Sequence, residues 1–185
     1  MSDEDALPTQ PLPTAQLLRR KHTSVTFAPD AAARAAIAAA LDLSDLPSFR
    51  MTGEVVPAGK HDLQLSATIT ARVVQPCSVT LVPVETRINE PVLRRYLADF
   101  QTPDSSEVEM SEDDTSDPLT DCIDVAAVAI EALALALPLY PRSPGADLGE
   151  AVFAAPGAAP LRDADLRPFA GLAGLVGKID PDKAE

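Results

Sequence analysis

Between Leu63 and Val73 every second residue is apolar. Leu63, Leu65, Ala67, Ile69, Ala71 and Val73 alternate with Gln64, Ser66, Thr68, Thr70 and Arg72. Successive side chains of a strand point to opposite faces, so this spacing describes one long strand with a greasy side and a wet side. On a helix the same residues would be scattered around the whole circumference. A strand with one apolar face is unstable alone and needs lateral neighbours plus a layer that covers the greasy side. The rest of the chain must supply both.

Neighbouring strands are predicted at Ser48–Val56, Asp62–Val74 and Cys77–Ile88. A further strand is expected within Leu17–Phe27, where Thr23, Val25 and Phe27 alternate with polar residues. A fifth runs over Val92–Phe100, although Val92–Leu97 also fits a helical turn. Gly53, Pro57-Ala58-Gly59 and Gln75-Pro76 punctuate these segments as bulges or turns. No connection among them is long enough for a crossover helix, so the sheet should be antiparallel.

The cover is expected from helices. Pro29-Asp30 opens an alanine-rich run through Leu41, with Ala33, Ile37, Ala40 and Leu41 on one side. A second helix occupies about 124–137, capped by Asp121 or Asp124 and stopped by Pro138. Its apolar residues point all round, with Glu131 its one charge, so burial on most sides is expected. As a helix, Val125–Leu137 reaches about 20 Å, short of a hydrocarbon slab of about 30 Å. Asp163–Lys178 reads as a last short helix. The expected class is therefore α+β: an antiparallel sheet of four to five strands, the 124–137 helix on one face, and short helices towards each end.

Charge then limits the possible partners. Residues 1–100 hold ten basic and eleven acidic side chains, whereas residues 101–185 hold five and seventeen, within a total of −13. Such a balance opposes free-standing, non-specific nucleic-acid binding over most of the surface. The near-neutral half still carries Arg94-Arg95 beside Tyr96, and Arg19-Arg20-Lys21. Arginines next to an aromatic ring can hold phosphate and stack a base, while the plainer reading makes both clusters solvated strand faces. Residues 101–124 hold nine acids, and about 101–123 is expected to be a solvated acidic loop. That loop either solubilises the chain or meets a basic partner such as a ribosomal protein. Residues 1–15, with three prolines and three acids, read as a disordered leader, 16–178 as one domain, and 179–185 as a tail.

Candidates for chemistry are sparse. Cys77 and Cys122 cannot form a disulfide framework, which points to a reducing, cytoplasmic setting, and the acidic start lacks the pattern of a secretory signal. Cys77, Cys122, His22 and His61 include no two close in sequence, so no metal site is expected. Neither histidine sits in a nucleophile elbow and there is no phosphate-cradling glycine loop. No catalytic residue, cofactor or metal is expected, and no membrane span.

One resemblance is specific. Gln75-Pro76-Cys77-Ser78-Val79-Thr80-Leu81-Val82-Pro83-Val84, then Arg94-Arg95-Tyr96, the acidic stretch, and Asp124–Pro141 ending Leu137-Pro138-Leu139-Tyr140-Pro141 together resemble the YceD family of large ribosomal RNA subunit accumulation proteins, in its alphaproteobacterial form. The similarity covers about 16–178. It implies a non-enzymatic role in accumulation of 23S rRNA and in ribosome assembly, with large-subunit rRNA precursor or a basic ribosomal protein as partner. Many relatives carry Cys-x-x-Cys at the central motif. Here Val74 stands at the first of those positions, so a metal role is not carried over. The expected contact surface is Gln75, Pro76, Cys77 and Thr80 together with Arg94, Arg95 and Tyr96.

Overall fold

The structure, a computed structural model, describes residues 7–100 and 115–147 together with Gly149, Ala154 and Gly157. The chain groups into two units, Met1–Ala146 and Asp147–Glu185, and the account below concerns the first. The expected helix over Asp163–Lys178, the tail at 179–185, the acidic residues 101–114 and positions 1–6 lie outside the described residues.

In chain order the elements are β1 (Pro11–Pro13), α1 (Thr14–Leu17), β2 (Thr23–Phe27), α2 (Ala31–Ala40), β3 (Asp45–Ala58), β4 (Asp62–Pro76), β5 (Pro83–Leu97), β6 (Ser116–Pro118), β7 (Cys122–Asp124) and α3 (Val125–Ala136). The main sheet has the order β2-β3-β4-β5-β6, while β1 and β7 form a two-stranded sheet of their own. All pairings are antiparallel except β5 with β6. The α+β class and the antiparallel meander are those the sequence predicts.

The register turns alternation into two faces. Directly opposed residues share a face, so the row Val25, Gly53, Ala67, Val92 and the row Phe27, Met51, Ile69, Glu90 lie on the inner side. Leu63, Leu65, Ile69 and Val73 have no exposed surface. Phe27 meets Phe49 edge-to-face, their ring centroids 5.8 Å apart. Over this side lies α3, which buries Val125, Ala126, Ala129, Ile130 and Leu133. Asp124 caps it, accepting from the N–H groups of Ala126 (3.0 Å) and Ala127 (3.3 Å). Asp30 caps α2 in the same way through Ala33 N–H at 2.9 Å, and Ile37 and Ala38 carry that helix's buried side.

Five expectations are corrected. The segments Cys77–Ile88 and Val92–Phe100 are not separate strands: Cys77–Val82 is a tight loop, and Pro83–Leu97 is one continuous strand. Pro91 does not break it, because β5 has a partner on one side only at that point, where a missing N–H need not cost a ladder bond. The helix α3 is buried along one stripe rather than on most sides. Leu135 is 77% exposed and Glu131 faces water, since apolar character does not require burial and much of a folded surface is still apolar. Gly53 is neither bulge nor turn. It sits in an unbroken three-strand ladder where a Cβ would collide with the Ser66 carbonyl and with Ala67.

Residues 7–15, expected in a disordered leader, are held by long-range bonds. Gln10 N–H donates to Asp124 Oδ1 at 2.8 Å, Val125 N–H donates to the Gln10 carbonyl at 3.1 Å, and Thr14 donates to the Asp121 carbonyl through both N–H (3.0 Å) and Oγ1 (2.9 Å). The end of the acidic stretch is likewise not a free loop. Ser116–Pro118 and Cys122–Asp124 form β6 and β7, and Ile123 is buried. Local composition could not reveal either pairing, because both depend on partners far along the chain.

Candidate functional site: a loop clamp, a spent arginine and an open sheet face

Of the motif residues, Gln75 and Pro76 end β4, paired with Val84 and Pro83 of β5, while Cys77 and Thr80 lie in the loop that joins the two strands. Cys77 has no exposed surface but stands outside the hydrophobic cluster of the core; its cover is the loop backbone itself. Its Sγ accepts hydrogen bonds from the N–H groups of Val79 (3.5 Å), Thr80 (3.4 Å) and Ser143 (3.4 Å), and from Ser143 Oγ (3.6 Å). Hydrogen bonding by the Thr80 side chain, then by the Ser143 and Thr80 backbones, outweighs desolvation and lowers the thiol pKa to about 6. The buried sulfur thus ties two loops together, in surroundings that favour its ionised form.

The same two loops are joined around it. Ser78 donates to the Pro141 carbonyl through N–H (2.8 Å) and Oγ (3.2 Å), Gln75 Nε2 reaches the Pro138 carbonyl (3.4 Å), and Thr80 Oγ1 meets Ser143 Oγ at 3.4 Å. The turn forces Leu81 to φ 61°, a left-handed value, and leaves it 77% exposed. No group of three His, Cys, Asp or Glu side chains gathers for a metal among the described residues; Cys122, His22 and His61 are exposed elsewhere.

Arg94, Arg95 and Tyr96 stand at the far end of the ladder. Gln75 opposes Val84, whereas Gln64 opposes Arg95, so the two motif groups are separated by eleven positions along β4, about 36 Å. They do not make one surface. Arg94 and Arg95 also face opposite sides of the sheet. Arg94, its side chain 17% exposed, pairs closely with Glu131 of α3 and lies 3.8 Å from Asp117 of β6. Tyr96 is 6% exposed and opposes Leu63. Burial first, then the Asp117 carboxylate, push its phenol up to about 12. A ring so placed is a core side chain, and Arg94 is an internal tie. Arg95 is exposed on the outer side.

On that outer side the register assembles what single segments do not show. Ser48 opposes Arg72 and Arg72 opposes Arg87, while in the next row Arg50 opposes Thr70 and Thr70 opposes Asn89. These side chains are exposed, and with Arg34 they line a depression of about 520 Å³. Arg34 reaches it from α2, anchored by bonds from Nε to the Leu46 carbonyl (3.1 Å) and from Nη1 to the Pro29 carbonyl (3.0 Å). Among the described residues no carboxylate lines the depression. Glu85 stands at the rim, in a bidentate pair with Arg72 at 2.8 and 2.9 Å.

The family model described as large ribosomal RNA subunit accumulation protein YceD matches residues 65–176, more than half of the chain. The protein belongs to the YceD family. No curated protein and no solved structure matches it. The YceD match begins inside β4 and includes the Cys77 clamp, β5 and α3, hence Arg72 and Arg87. Arg34 and Arg50 precede it. No helix among the described residues is long and apolar enough to cross a membrane.

Proposed function

We propose that this protein is a non-enzymatic factor that promotes the accumulation of large-subunit (23S) rRNA during ribosome assembly, acting in the cytoplasm. The observation that carries this reading is the YceD match over residues 65–176, whose description names large ribosomal RNA subunit accumulation. The fold offers a fitting means. A sheet with one packed and one exposed face presents fixed groups to a large partner, and the buried Cys77 sulfur is engaged in holding loops together. The partner in this reading is the rRNA precursor, and a basic ribosomal protein is the competing partner.

Removing the gene and measuring 23S precursor, mature 23S rRNA and free large subunits tests the role. A fall in mature large-subunit rRNA is expected, and unchanged levels of all three would overturn it. Crosslinking in cells then separates the partners: recovery of rRNA supports direct contact, whereas recovery of a ribosomal protein alone assigns the contact to protein.

A further inference from the structure

We infer that the outer face of the main sheet, centred on the depression between Arg34, Arg50, Arg72 and Arg87, is a docking surface for the sugar-phosphate backbone of RNA. The inference rests on the reading above for which RNA is met, and adds where and how it is held.

Charge selects the class of occupant. The whole chain carries −13, yet four guanidinium groups from one helix and three strands surround this depression, and among the described residues no carboxylate lines it. Guanidinium groups present paired donors that match phosphate oxygens, and their weak hydration makes such contacts favourable. The pair of Arg72 with Glu85 is open to water, with side-chain exposures of 48% and 41%. Exposed pairs of this kind are worth little, so a phosphate can compete for the Arg72 fork.

The neutral groups fit RNA as well. Ser48, Thr70 and Asn89 lie between the arginines, and Thr52 and Thr68 extend the small polar residues by one row; the next row, Glu54, Ser66 and Leu93, bounds the surface on the Arg95 side. Hydroxyls and amides of this size donate to phosphate oxygens and exchange hydrogen bonds with the ribose 2′-OH. Among the described residues no aromatic side chain of the sheet is exposed on this face: Phe49 is buried below it, and Tyr96 belongs to the inner side. Bases therefore have nothing to stack on, and recognition runs through backbone and 2′-OH rather than sequence. Protein partners are disfavoured by the same composition, because the lining lacks the exposed aromatic and aliphatic anchors on which protein interfaces depend.

The pleat adds preorganisation. Arg72 and Arg87 stand directly across one ladder step and Arg50 diagonally from Arg72, on strands about 4.8 Å apart. A single segment of backbone can therefore meet several guanidinium groups whose spacing is set before it arrives. The more distant Arg94 cannot join, being tied to Glu131 and Asp117 on the other side.

The test is fluorescence anisotropy of the full chain with a labelled large-subunit rRNA fragment and with a mixed-sequence RNA of equal length, across a salt series. The triple variant Arg50→Gln, Arg72→Gln, Arg87→Gln should bind both RNAs at least tenfold more weakly. Its log–log salt slope should be shallower by about 2, as expected for three lost phosphate contacts. An equal charge change elsewhere, Arg19→Gln, Arg20→Gln, Lys21→Gln, should retain binding. Far-UV circular dichroism and the melting midpoint of the groove variant should match the parent, showing that it folds. Undetectable RNA binding by the parent, equal binding by parent and groove variant, or loss with the Arg19–Lys21 variant would each overturn the assignment. In a strain lacking the gene, a groove variant that restores 23S rRNA sinks the assignment and leaves the function standing, whereas normal 23S rRNA without any gene sinks the function itself.

Discussion

The two faces of the main sheet are made by the same strands in the same register, yet they obey different rules. On the inner side, Leu63, Leu65, Ile69 and Val73 disappear completely beneath α3 and the loops, and the arginine there is consumed: Arg94 pairs with Glu131 and Asp117. On the outer side, arginines of three strands stay exposed around one shallow depression. An arginine's role here is decided by the parity of its position along a strand. Arg94 and Arg95 are adjacent in sequence, and one is structural while the other faces solvent.

The contrast can be broken most severely from inside. Leu65→Ala should cost about 2–5 kcal/mol, because Leu65 has no exposed surface and its loss leaves a cavity. Urea unfolding reads this directly, and a change under about 1 kcal/mol would show that the inner layer is not close-packed. Gly53→Ala tests how closely the strands approach. The added methyl has nowhere to go between the Ser66 carbonyl and Ala67, so destabilisation of about 1–3 kcal/mol is expected by the same unfolding measurement. A substitution that left the unfolding midpoint in place would mean that the ladder can part without loss. Asp124→Ala removes an acceptor shared by Ala126, Ala127 and Gln10 N–H groups and should cost about 1 kcal/mol, read from the same urea curves.

The loop clamp gives a pH signature. The Cys77 thiol is held at about 6 in the folded chain, below an ordinary thiol value near 9. A depressed acid stabilises the fold fully above its unfolded value and progressively less as pH falls through its folded value. The difference in urea midpoint between the parent and Cys77→Ala should therefore be greatest near pH 9 and shrink toward pH 6. A gap independent of pH would show that the sulfur acts as a neutral space-filler. The smallest expected effect lies outside: Arg50→Gln and Arg87→Gln should leave the melting midpoint unchanged while RNA affinity falls, and that separation sharpens the contrast between the faces.

Much of the inner face was legible in the chain itself. Alternation in Leu63–Val73 predicts β4 almost to its ends, because burial of one side imposes a period of two. Asp30, Asp124 and Pro138 mark helix limits through local hydrogen bonding and the lack of an N–H. The outer site was not legible for a physical reason. Arg50, Arg72 and Arg87 lie 22 and 15 positions apart, and only the register places them together. Sequence adjacency instead favours Arg94-Arg95-Tyr96, where neighbours along a strand point away from each other. The Cys77 clamp was half visible: the motif marks the place, but the bonds from Ser143, 66 positions away, do not show in local composition.

Gln10 and Thr14 find their partners 114 and 107 positions downstream. Neighbouring strands of the meander can zip together through short loops, whereas this seam must wait for the most distant ends to meet, the slowest kind of contact to form. During synthesis, the opening segment therefore stays unfastened until α3 has emerged. A chain arrested before residue 121 would have strands but no buckle, and protease access to residues 7–15 would report whether the fold has been completed.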